Sequence, residues 1–200
     1  MARIPGARAR GLRVKLIYYF TRRSMAQLSG RETERMLEPL QMFAHSPALL
    51  NAYAKLEQAT AKLHCVDKRL SDLAELKAAT MTSCEYCIDL GSQIARRRSG
   101  LTDEHLLALP RYRDSELFTK TEKLVMDYAV AMSRTPVDVP DELFVRLREH
   151  FGDAQLVELT YIIALENLRG RFNLALGIGA AGFSEGMVCA VPAQPGRRPE

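Results

Sequence analysis

Two cysteines separated by two residues stand in the segment Ser83-Cys84-Glu85-Tyr86-Cys87-Ile88-Asp89-Leu90-Gly91. On a helical turn this spacing brings the sulfurs close enough to bond. At a helix N-terminus, unsatisfied backbone N–H groups and the macrodipole stabilise a thiolate and lower its pKa. The thiolate is the reactive form, so the arrangement suits peroxide reduction or thiol–disulfide exchange. Two other readings stay open. A zinc site needs two further ligands; no second Cys-x-x-Cys or His-x-x-x-His pair is present, which leaves His64 and Cys65 to converge on the pair. An inert, buried pair is the third, since cysteine packs as a small hydrophobe. Glu85 and Asp89 flank the cysteines and raise the thiol pKa values unless they turn to solvent. Cys65 and Cys189 read as structural, although the run Ser184–Ala190 offers a way for Cys189 to fold back over the dithiol.

The elements that must position the pair are helical. Ser46-Pro47 starts a helix as N-cap and first residue, carrying Leu49, Leu50, Tyr53, Leu56 and Leu63 at helical spacing. Asp67 caps a second over about 68–80, and Thr82-Ser83 interrupts it. A third runs from Cys84 to Arg97 and stops at Gly100. Thr102 caps a short helix, 103–108, ahead of Pro110. Helices over about 121–133 and from Asp138-Pro140 to Phe151-Gly152 follow. Asp153 opens a long one to Leu168, with a last helix over about 171–181.

The chain has 200 residues, 47% of them apolar and 26% charged, enough for a substantial core. Helix formers dominate, so the fold class is all-α. The net charge of +4 is uneven: residues 1–31 hold eight Lys or Arg and no acid, leaving the rest at −4. We read 1–31 as a basic arm with a short helical stretch near Val14–Arg23, 32–191 as the helical domain and 192–200 as a disordered tail. Such an arm is able to touch nucleic acid or anionic lipid, but a solvated or docked tail is the expectation, with no nucleic-acid partner. Leu16–Phe20 is too short for a signal-peptide core and Leu174–Phe183 too short to span a bilayer. A soluble protein of the reducing cytoplasm follows, where a close Cys-x-x-Cys is redox-active or metal-binding and not a structural staple.

An internal repeat appears at an offset of 86 residues. Leu70–Leu73 through Cys84, Tyr86, Cys87, Leu90 and Gly91 lines up with Leu156–Leu159 through Gly170, Phe172, Asn173, Leu176 and Gly177. Acid meets acid (Asp72, Glu158), aromatic meets aromatic and glycine meets glycine; the cysteines have become Gly170 and Asn173. The pattern predicts two copies of one helical hairpin, the first alone keeping thiols.

An acid, eleven residues, Cys, two residues, Cys and a helix resembles the core motif of the AhpD-like (carboxymuconolactone decarboxylase) superfamily, and the resemblance extends over about 46–183. Asp141–Phe144 and Arg169–Asn173 look like the family's second half. The resemblance implies a helical bundle of two pseudo-repeated hairpins, with Cys87 attacking a hydroperoxide and Cys84 resolving. It implies reduction by a lipoyl or thioredoxin-like dithiol, no metal or organic cofactor, and assembly as a homo-oligomer. The family's relay Glu falls on Asp72, with Glu75 one turn on as its substitute; the relay His falls on Gly91, which has no side chain. The reading that follows is a thiol-dependent antioxidant of the alkylhydroperoxidase type. Its alternatives are a non-redox or degenerate member (a helical scaffold or small-molecule binder) and a lactone enzyme of the decarboxylase branch.

Overall fold

A computed structural model describes residues 2–9 and 11–192. Among them lie nine α-helices, one 3-10 turn over Leu109–Arg111, and no strand. The helices are α1 (Leu12–Ser29), α2 (Glu38–Phe43), α3 (Pro47–Thr60), α4 (Lys68–Thr82), α5 (Glu85–Ser99), α6 (Asp103–Ala108), α7 (Lys120–Ser133), α8 (Asp141–His150) and α9 (Asp153–Ala175). The cap residues act as the sequence predicts. Ser46 accepts from the Leu49 N–H, Asp67 from the Arg69 N–H and Thr102 from the His105 N–H. Gly100 ends α5 in the left-handed region at φ 63°, a conformation that an L side chain strains to adopt.

Helix α4 is the centre of the molecule. Its face with Leu73, Leu76 and Ala79 joins a core with Tyr86, Ile88, Met36, Leu40 and Phe183, and both dithiol cysteines belong to this cluster. Its other face, with Ala74 and Ala78, packs with Val125 and Ala129 of α7, Leu143 and Leu147 of α8, and Leu159 and Ile163 of α9. Ser83, at φ 56°, turns the chain back, so α4 and α5 form an antiparallel hairpin with Asp72 opposite Arg98 and Leu76 beside Gly91.

Several elements differ from the sequence expectation, among them α2, which it did not contain. The arm holds an 18-residue helix, Leu12–Ser29, longer than the Val14–Arg23 stretch; its Val14, Ile17, Tyr18 and Met25 pack against the first core. The expected break between Leu168 and Arg171 is absent. Helix α9 continues through Gly170 because that glycine is where α9 meets α4: a Cβ there would lie 2.6 Å from Thr82 Oγ1. The second copy of the repeat therefore runs along one helix, which ends at Ala175. From Leu176 the chain is a non-helical strap over α5. The tail read over 192–200 lies outside the described residues apart from Pro192.

Buried carboxylates fasten these parts. Asp89 on α5 accepts the backbone N–H groups of Ala181 (2.9 Å), Gly182 (2.8 Å), Phe183 (3.0 Å) and Ser184 (2.6 Å), stitching the strap down. Glu158, the repeat partner of Asp72, accepts the N–H groups of His64, Cys65 and Val66 and so fixes the loop ahead of α4.

Candidate active site

The dithiol lies where α5 begins. Cys84 is the N-cap of α5, and its sulfur accepts the Cys87 N–H at 3.3 Å. Donation to a sulfur at this position is what the free N–H groups of a first helical turn provide. Both cysteines are buried, Cys84 fully and Cys87 with 8% of its surface exposed. Both cysteines are free thiols.

The second copy of the repeat supplies the other wall. Asn173, which stands where the repeat places a second Cys87, directs its Nδ2 to both sulfurs at 3.6 Å. Glu166, Arg169, Gly170 and Asn173 recur at i, i+3, i+4 and i+7, so one face of α9 carries them all. Glu166 is buried, and its carboxyl is near enough to Cys87 for its charge to raise that thiol's pKa. Its Oε1 has no hydrogen-bond partner among the described residues, while Oε2 takes Arg169 Nη1 at 3.2 Å. Arg169 also donates to Glu75 Oε1 at 3.3 Å and grips Glu57 of α3 at 2.7 and 2.9 Å.

These contacts divide the two thiols electrostatically. The Cys84 pKa is drawn down, first by the Cys87 S–H donated to it and then by the Cys87 N–H and the Asn173 amide, which outweigh burial. The Cys87 pKa is pushed well up because that thiol gives its proton to Cys84, and because burial and Glu166 disfavour a second negative charge. Of the pair, Cys84 ionises first. The Glu166 carboxyl is pushed up to about 7 by burial, against the opposing pull of Arg169. A carboxyl tuned to that range, on the helix face that brings Asn173 to the sulfurs, is equipped to exchange a proton near neutral pH.

The sequence-derived site is brought together in part. Asp72 is buried at the far end of the hairpin, bonded to Arg98 and Ser99. Because α5 rises about 1.5 Å per residue, Ser99 lies roughly 20 Å along the helix axis from Cys84, so Asp72 does not meet the sulfurs. Glu75 stands one step removed, bridged to Glu166 through Arg169, with its own pKa raised by burial. Gly91 leaves its place to packing against Leu76. The hydrogen-bond partners of His64 and His105 lie elsewhere, at Lys62 and Thr102. Asp89 points neither at the thiols nor to solvent, since the strap's N–H groups surround it. Cys65 is exposed beyond α3, and Cys189 sits on the strap beside Asp89 and Arg96. Among the described residues no three His, Cys, Asp or Glu side chains converge as metal ligands would.

Glu166, Arg169 and Asn173 escaped the sequence reading as site residues. The repeat already placed Asn173 opposite the cysteines, and Glu166 lies two helical turns before it on the same face. That register was the available signal.

Comparison with known proteins agrees with this geometry. The family model described as the carboxymuconolactone decarboxylase family matches residues 47–131, which hold the Cys-x-x-Cys hairpin. The Escherichia coli (strain K12) protein YnjA, uncharacterized, is 35% identical over 174 residues, covering 85% of this chain and 91% of its own length. A solved structure from Ralstonia eutropha JMP134, an uncharacterized peroxidase-related protein with an alkylhydroperoxidase AhpD core, superposes with TM-score 0.72 at 17% identity over 98% of each chain. The debrominase Bmp8, solved as a cysteine-to-alanine variant in complex with 2,3,4-tribromopyrrole, shares the fold at TM-score 0.74 and 19% identity over 90% of this chain and 95% of its own. Sequence and fold agree that this chain belongs to the AhpD-like (carboxymuconolactone decarboxylase) superfamily.

Proposed function

We propose that the protein is a thiol-dependent hydroperoxide reductase of the alkylhydroperoxidase type, working through Cys84 and Cys87 in a domain spanning 32–191. The observation that carries this reading is the arrangement at one spot: Cys84 at the N-cap of α5 accepts the Cys87 N–H, Asn173 directs its amide to both sulfurs at 3.6 Å, and the same face of α9 carries the buried Glu166 carboxyl. The resemblance to the family makes Cys87, the less deeply buried of the two, the attacking sulfur, with Cys84, which ionises first, as the thiolate that resolves. The Cys87 proton passes to Glu166. The sulfur attacks the distal peroxide oxygen, the O–O bond breaks, and the alkoxide takes that proton from Glu166 and leaves as the alcohol, giving a Cys87 sulfenic acid. The Cys84 thiolate then attacks the Cys87 sulfur, the S–O bond breaks, the hydroxide takes back from solvent the proton that Cys84 released and departs as water, and an internal disulfide forms. A lipoyl or thioredoxin-like dithiol returns the pair to the reduced state and becomes a disulfide itself. Neither a metal nor an organic cofactor enters these steps. Glu75, joined to Glu166 through Arg169, offers the proton a second carboxylate on its way out; Asp72 takes no part. The absence of side-chain chemistry at Gly91 is met from the opposite helix by Glu166. We place the working protein in the cytoplasm, as a homo-oligomer.

Turnover of an organic hydroperoxide with a dithiol donor tests the reading. Cys84→Ser and Cys87→Ser are each expected to fall to the uncatalysed background while melting like the parent. A single variant that keeps parental turnover removes the dithiol from the mechanism.

A further inference from the structure

Helix α1 carries two apolar faces, and only one is used. Val14, Ile17, Tyr18 and Met25 pack inward on the core that holds the dithiol. On the opposite side Leu12, Leu16, Tyr19 and Phe20 stand 75%, 46%, 56% and 61% exposed. Their spacing of i, i+4, i+7 and i+8 gathers them into a single stripe. Arg13 flanks the stripe on one side and Lys15 and Arg22 on the other, and Arg23 rises within it. The helix contains no acid. Arg22 is paired with Glu32; Arg8, Arg13, Lys15 and Arg23 have no ion-pair partner among the described residues.

We propose that the outer face of α1 is a docking surface for an anionic lipid bilayer, lying in the plane of the headgroups with Leu12, Leu16, Tyr19 and Phe20 inserted. Such a surface combines an apolar stripe with flanking cations, whose long stems let the charges reach the phosphates while the methylenes stay among the acyl chains. The charge distribution singles out this occupant. Residues 1–31 concentrate eight cations without one acid, against −4 for the remainder, so the arm is the part of the chain that complements a negative surface. A two-fold contact between two copies of this stripe would bring the cations Arg13, Lys15 and Arg23 of one copy close to those of the other, with no carboxylate on the helix to offset them. Nucleic acid fits the cations but not the stripe, because a phosphate backbone has no use for four large apolar side chains at the centre of the contact. The inner face keeps α1 seated on the body, and Tyr18 Oη holds the preceding segment by donating to the Ala7 carbonyl at 3.0 Å. Docking therefore needs no unfolding. Among the described residues no helix is long and apolar enough to cross a bilayer, so the contact is peripheral.

Co-sedimentation of the full chain with vesicles tests this. Vesicles of mixed phosphatidylglycerol and phosphatidylcholine are expected to carry the protein down at low salt, and pure phosphatidylcholine vesicles to leave it in solution. Raising the salt, or making the double variant Leu16→Glu and Phe20→Glu, is expected to lower the bound fraction about tenfold or more, since both the screened charges and the inserted stripe contribute. Both substituted residues are exposed, and the variant's thermal unfolding should match the parent's. The proposal fails if anionic vesicles do not bind the chain, if neutral vesicles bind it equally, or if the double variant binds as the parent does. It also fails if sedimentation velocity shows a parental oligomer that the double variant dissociates, because a second copy then covers the stripe. Retention of duplex DNA in place of lipid at the same salt would likewise overturn it.

Discussion

Glu166→Gln is expected to slow hydroperoxide reduction by about 10²–10⁴-fold, the range a positioned base contributes, and at the same time to make the protein more stable above neutral pH. The two effects have one cause. Burial raises the Glu166 carboxyl from its ordinary 4.5 to about 7, so between those values the folded protein binds a proton that the unfolded chain has released. Stability from this group is fully present below about pH 4.5, declines as the pH rises, and is lost by about pH 7. The shift corresponds to roughly 3 kcal/mol. Glutamine keeps the shape of the neutral acid and removes the charge, so the variant should melt several degrees higher at about pH 8 and nearly with the parent at about pH 5. The ion pair with Arg169 is lost too, but Glu57 and Glu75 still hold that guanidinium. Peroxide consumption by the parent should rise as the pH climbs through about 7, where Glu166 becomes able to accept a proton; the variant should lose that rise. A variant as fast as the parent would take Glu166 out of the proton path, and one that melts lower at about pH 8 would refute the buried, strained carboxylate.

Asp89→Ala is expected to be the most damaging single change to the fold outside the apolar core. One carboxylate accepts four consecutive backbone N–H groups, from Ala181 to Ser184, and three of those four bonds are buried. Alanine leaves these donors without partners, each at about 1–3 kcal/mol, so a loss of about 4 kcal/mol or more is expected from a total of about 5–15 kcal/mol. The strap carries Ile178, Phe183 and Ala190 into the first core, so its release exposes them as well. Urea unfolding measures the loss, and proteolysis within 177–190 at a denaturant concentration that spares the parent locates it. Asp89→Asn should fall between the two, because an amide offers one acceptor oxygen and opposes the strap's N–H groups with its own. Full parental stability in Asp89→Ala would mean that water or a rearranged strap satisfies those donors.

What the sequence made legible follows from where the information is local. Ser46, Asp67 and Thr102 announce helix starts because a cap acts within three residues of itself, and Gly100 announces an end for the same reason. The dithiol and its place at a helix N-terminus were readable from Cys84, Cys87 and the preceding break at Ser83. The partners of the thiols were not, because they come from roughly 80 to 90 residues downstream. Extending the acid–Cys-x-x-Cys spacing along the chain led to Asp72. That position faces the sulfurs only if the hairpin is short, and α4 is long enough to carry Asp72 to its far end. Gly170 misled in a related way. A glycine after Arg169 suggests a helix end, yet its use is tertiary, admitting Thr82. The repeat held the better clue, since it set Asn173 opposite Cys87 and Glu166 lies two turns before Asn173 on the same helix. In α1 both apolar faces were present in Leu12–Phe20, but which face packs inward is decided by α5 and the core, not by the periodicity.

The most direct check of the central claim is the free-thiol count of the reduced protein before and after one equivalent of an organic hydroperoxide, with peptide mapping of the product. The account predicts the loss of two thiols per chain, a cross-link between the peptides carrying Cys84 and Cys87, and one alcohol released per peroxide. An unchanged count, or oxidation confined to Cys65 or Cys189, would contradict it.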